Sequence, residues 1–274
     1  MLTGLGILAL GTFCGIPDDG EDFIRAVRKF SEEASSYAFR METRSSTTFG
    51  NAMGGIPQTE GKFEKTAGLY LKVGDRMEVF RKDGRTFTKQ AQGEWQEFVP
   101  PAGGPAPETP PPPVPGAGGR RPMLGRMMLR SLKAPHEEIA GLEKGLREVK
   151  KAEAAEKIGE LECAVYAGDF SDEAMKETPL GQMIPRFGDA ASGLTGRARI
   201  WVDAEGRLVR FEITNRVSVE FQGNAVELSL TRTASISDAG KTAVEVPEGV
   251  RKLLGEKTEE PGKSPAPPPP KADF

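Results

Sequence analysis

The chain has 274 residues, enough to bury a substantial core. Its 37 basic and 40 acidic residues give a net charge of −3, and aromatic residues are 7% of the chain. That balance excludes a basic nucleic-acid-binding surface, and the few aromatics exclude a base-stacking platform. Two cysteines and one histidine cannot make a zinc site.

The N-terminal stretch MLTGLGILALGTFCG is apolar and too short to span a bilayer as a helix. It fits the apolar part of a secretory signal, with Ala9-Leu10-Gly11 as a small-residue cleavage site, although no Lys/Arg start is present. Cys14 is a candidate for lipidation, but Phe13 occupies the position where a lipoprotein signal has a small residue, so plain export is the reading. The formal G-x-G-x-x-A at Gly4–Ala9 has no strand before it and is no dinucleotide fingerprint. Residues 1–17 are therefore read as signal-like, residues 18–255 as a single domain and residues 256–274 as a Pro-rich disordered tail.

Acidic residues from Asp18 to Asp22 open a helix whose Phe23, Val27, Phe30 and Ala34 share a face. Strands follow. Phe39 and Met41 alternate with Arg40 and Glu42, and Phe63, Leu69, Leu71 and Val73 fall on one side. Met77 and Val79 lead to an Asp83-Gly84 hairpin turn and a return strand over Thr86–Lys89, and Gln92–Trp95 opens a further short strand. Short turns between consecutive strands make an antiparallel meander.

Ten of the 22 prolines lie in residues 100–122, a stretch read as a solvated spacer inserted in the domain. Met123, Leu124, Met127, Met128 and Leu132 then form a Met-rich apolar face, with Pro135 dividing two helices. Arg120-Arg121 and the basic residues of that stretch suit contact with an anionic membrane surface. Two strands are expected around a turn at Lys157–Glu160, with Cys163 as a buried, unreactive thiol. Ser171 caps a helix, and strands Ala198–Asp203, Leu208–Val219 and Ala225–Ser237 complete the sheet. On a regular hairpin, Trp201 and Phe211 lie on opposite faces. The predicted fold class is α+β: a curved antiparallel sheet of about ten strands forming a half-open barrel covered by helical segments.

The run IWVDAEGRLVRFEI, with Trp201-Val202-Asp203, the Asp203–Gly206 turn and Leu208-Val209-Arg210, is followed by SDAGKTAVEVP, with Ser237–Gly240 and Val244–Pro247. Together with the N-terminal helix and the mid-chain helical insertion, this pattern resembles the periplasmic lipoprotein carrier superfamily. Its members include the LolA/LolB type and the LppX/LprG-type lipid-binding lipoproteins. The resemblance covers roughly residues 21–254. It implies an apolar cavity that holds acyl chains. On that reading Phe39, Met41, Phe63, Leu69, Leu71, Met77, Val79, Met123, Met127 and Met128 line the cavity.

No catalytic constellation competes with that reading. His136 has no second histidine at metalloprotease spacing and reads as an exposed first-turn residue, and no G-x-S-x-G is present. The expectation is an exported, non-enzymatic, monomeric binder in a bacterial periplasm or cell envelope. It needs no cofactor, metal or nucleic acid, and its ligand is the acyl chain of a lipid or lipoprotein. The alternative is a cell-envelope interaction module with the same fold and a filled core.

Overall fold

The computed structural model describes residues 19–47, 57–99, 133–176, 178, 180–181, 184, 190–221 and 223–255. The strands are β1 (Ser36–Thr47), β2 (Thr59–Glu64), β3 (Gly68–Val73), β4 (Met77–Lys82), β5 (Arg85–Gln90), β6 (Gln96–Glu97), β7 (Leu146–Lys151), β8 (Glu156–Ile158), β9 (Leu161–Phe170), β10 (Ala191–Val202), β11 (Leu208–Phe221) and β12 (Asn224–Ser237). The helices among the described residues are α1 (Asp19–Glu33), α2 (Pro135–Ile139), α3 (Leu142–Gly145), α4 (Asp172–Lys176) and α5 (Glu248–Leu254). Hydrogen-bonded neighbours run β6-β5-β4-β3-β2-β1-β12-β11-β10-β9-β7, with β8 paired to β9 off that path. The described ladders are antiparallel, and the class is α+β, as the sequence predicts.

Two details depart from expectation. Three strands, not two, occupy residues 146–170, because β9 is long enough to take two short partners end to end. Its Tyr166–Phe170 end pairs β7, and its Leu161–Cys163 end pairs β8. The strand β10 starts at Ala191, not Ala198. Gly193, at φ +64°, and a bulge between Ser192 and Thr195 break the alternation that would have marked its first half.

The described residues divide into two compact units, one within residues 19–34, 41–47 and 133–236 and the other within residues 35–40, 57–99 and 237–255. In the first, Phe23, Ala26, Val27 and Phe30 of α1 are buried, and α1 packs on α2, α3, β7 and β11. Helix α4 begins where the Ser171 hydroxyl accepts the Ala174 N–H at 3.2 Å, the predicted cap. One row across the strands joins Tyr166, Ile200, Phe211 and Ala234. The row beside it joins Gly168, Ala198, Ile213 and Arg232.

The opposite face of these strands carries Cys163, Val165, Trp201 and Val209, with Ile158 of β8 packed on them. Trp201 pairs with Arg210 and Ile200 with Phe211, so Trp201 and Phe211 do lie on opposite faces. The guanidinium groups of Arg199 and Arg210 lie over the indole, 4.7 and 4.9 Å from the ring centre. Glu156 accepts hydrogen bonds from its Nε1 at 2.9 Å and from Arg199 at 2.6 Å. Burial pushes the Cys163 thiol up, as expected of an unreactive cysteine.

In the second unit, the ladder pairs Phe63 with Leu69, Leu71 with Val79 and Val73 with Met77, so these six residues share a face. Tyr70, Phe80 and Phe87 are paired in a row on the other. The Asp83-Gly84 turn between β4 and β5 has φ of +50° and +74°, the left-handed pair a two-residue hairpin needs. Phe80 and Phe87 pack with Val244 and Val250, backed by Tyr70, Trp95, Val246 and Leu254. The Val244 N–H donates to the Glu64 carboxylate at 2.8 Å, and Arg85 makes two hydrogen bonds to Glu97 and one to the Leu253 carbonyl. Gly255, at φ +73°, ends α5 by donating to the carbonyls of Arg251 and Lys252.

Candidate functional site

Six of the predicted cavity residues come together in the second unit. Phe39, Leu69, Leu71, Met77 and Val79 are buried, Phe63 is half-buried, and the register places the strand residues on one wall. Gly61 faces Leu71 across β2–β3. A Cβ at Gly61 would collide with the Phe39 ring, so Phe39 lies over that glycine on the same wall. The Tyr37 ring stands 5.8 Å from Phe39 and 5.2 Å from Phe63, in the range of tilted aromatic pairs. Beyond β4 the wall turns polar, because Thr86, Thr88 and Gln90 of β5 oppose Arg81, Val79 and Met77.

Met41, the seventh candidate, belongs to the first unit, where its sulfur accepts a hydrogen bond from Arg232 Nη2 at 3.3 Å. Met123, Met127, Met128 and Cys14 lie outside the described residues.

Sequence reading missed a charged pair on the wall of the first unit. Arg232 Nε lies 3.2 Å from Glu138 Oε2, with the two side chains 16% and 13% exposed. Neither atom makes an aligned hydrogen bond. Burial pushes the Glu138 carboxyl up, against the pull of Arg232 and Lys133. Helix α2 positions Glu138: Pro135 occupies its first turn, and Glu137 accepts the Ala134 N–H at 2.7 Å. A signal was present in the sequence. Leu228, Leu230, Arg232, Ala234 and Ile236 are in phase along β12, so an arginine occupies an apolar register. Asn215 does the same between Ile213 and Val217; it is 3% exposed, and its Oδ1 has no hydrogen-bond partner.

His136 is half-buried, not exposed, because α2 packs against α1. That burial lowers its pKa, opposed by Glu137. Among the described residues no cluster of three His, Cys, Asp or Glu side chains could hold a metal, and no helix is long and apolar enough to cross a membrane.

No family model and no curated protein matches the chain. Among solved structures it matches the crystal structure of LprF from Mycobacterium bovis, with a TM-score of 0.47 and 10% identity, covering 85% of this chain and 98% of that one. The chain is similar to LprF.

Proposed function

We propose that the chain is an exported, non-enzymatic protein of a bacterial periplasm or cell envelope that holds the acyl chains of a lipid or lipoprotein. One observation carries this reading. Strand β4 of the second unit is buried on both sides: Val79 and Phe80 are consecutive, and both are 0% exposed. A sheet with a single core needs one apolar face. The Phe80 side packs on Val244, Val250 and Trp95, and the Leu71–Val79 side is a second apolar face, which we take as the wall that a ligand would meet. Each methylene buried there contributes about 0.8 kcal/mol, so a long chain has ample driving force.

The Phe39 ring seated on Gly61 favours a second reading, a solid-cored interaction module of the envelope. Native mass spectrometry of the full chain purified from bacteria, with organic extraction and uptake of cis-parinaric acid, separates the two. The carrier reading expects a stoichiometric lipid and probe uptake that Leu71→Trp reduces. A lipid-free mass together with no uptake by the wild-type chain would overturn it in favour of the filled core.

A further inference from the structure

Arginine is an expensive residue on an apolar wall. Taking its charge out of water is costly unless well-formed hydrogen bonds offset it. Arg232 has a poor set of acceptors. Its Nε meets a carboxylate oxygen without an aligned hydrogen bond, and its Nη2 meets the Met41 thioether, a weak acceptor. A guanidinium has five N–H donors arranged to grip a carboxylate or phosphate through two parallel bonds. Much of that capacity is unused here.

The surroundings suit an incoming amphiphile. In its row Arg232 has Ile213, then Ala198 and Gly168, so the wall beside it is apolar and built from small side chains. Burial relaxes along β12: Ala234 is 0% exposed, while Leu230 and Leu228 are half-buried. A molecule laid along Leu228 and Leu230 would bring its polar end to Arg232. Glu138 is already held at a cost by its burial, so an anion that displaces it from Arg232 breaks an imperfect contact and forms a better one.

We propose that Arg232, with Glu138 as its stand-in partner, is the head-group site for an anionic amphiphile. The guanidinium grips a carboxylate or phosphate, and the acyl chain lies along the half-buried leucines of β12. This rests on the acyl-binding reading above.

The test uses isothermal titration of the full chain with two matched ligand pairs. Palmitate is compared with hexadecanol, and dioctanoyl phosphatidate with dioctanoylglycerol. The wild-type chain is expected to favour the anion more than 10-fold in at least one pair, and the pair that responds identifies the head group as carboxylate or phosphate. Arg232→Met should reduce the preference to less than 3-fold, chiefly through lost affinity for the anion. If Arg232→Met does not fold by circular dichroism, Arg232→Lys supplies the readout, because it keeps the charge but loses the two-bond grip and should lower the preference several-fold. An unchanged preference in the folded variant, or no preference in the wild-type chain, would overturn the head-group site and leave acyl binding standing. Failure of all four ligands to bind the wild-type chain would overturn acyl binding itself, and the head-group site with it.

Discussion

The carboxylate of Asp203, 2% exposed, is gripped twice by Arg207: by its backbone N–H at 2.8 Å and by its guanidinium Nε at 2.7 Å. It also accepts the Glu205 N–H at 3.1 Å, while Gly206, at φ +71°, turns the chain. The conspicuous Asp-x-x-Gly of the sequence is thus the lock of the β10–β11 hairpin. Asp203→Ala should cost about 1–3 kcal/mol, because it removes the acceptor of two backbone N–H groups and of a guanidinium at once. Arg207→Ala leaves those donors satisfied and should cost less than Asp203→Ala, since its side chain is half-exposed. Urea unfolding of the two variants checks the order; equal losses would contradict it.

The Trp201–Glu156 hydrogen bond ties β8 to the Val165–Trp201 face of β9 and β10. Trp201→Phe keeps most of the ring but removes the N–H that Glu156 accepts, and should cost about 1–2 kcal/mol. The loss should be local. Amide exchange is expected to quicken in Glu156–Cys163 and stay unchanged in α5. Uniform acceleration would mean that the hairpin is not a separate reporter of this contact.

Gly61 is a packing position on the proposed ligand wall. Gly61→Ala drives a methyl into the Phe39 ring and the Tyr70 carbonyl, and should destabilise by about 1–3 kcal/mol. If Phe39 can swing away, Gly61→Ala with Phe39→Leu should recover most of that loss. Thermal unfolding of the single and double variants reads the coupling, and strict additivity would show that the ring is not the obstacle.

Glu138 predicts a pH dependence of definite sign. Its folded pKa is raised, first by burial, so the folded state holds its proton at pH values where the unfolded chain has released it. Stability relative to Glu138→Gln should therefore be level below the ordinary glutamate range and fall as pH rises through and above it. Denaturant titrations of both chains from pH 3 to 8 measure the difference. A difference that grows with pH would show that Arg232 outweighs the burial.

What the sequence made legible was whatever follows a period. The face of α1, the Leu69–Val73 alternation, the Asp83-Gly84 turn and the Ser171 cap are all local signals. They reappear in the fold, except that α1 stops at Glu33, one residue short of Ala34. Features that depend on distant partners were not legible. The third strand β8 required knowing that β9 could host two neighbours. His136 was read as exposed because nothing local announces that α1 packs on its helix. Arg232 was visible as a charge in an apolar phase, but its partner Glu138 lies in another element, and no spacing rule joins them.

The cover over Phe80 and Phe87 has a consequence for timing. The glutamate that meets the Val244 N–H precedes it by 180 residues, and Arg85 precedes Leu253 by 168. A chain emerging N-terminus first makes the β2–β5 meander early and must carry its two phenylalanines bare until residues 244–254 arrive. The second unit cannot finish before nearly all of its chain exists, and a product stopped before Val244 would present a sticky sheet face instead of a smaller folded protein.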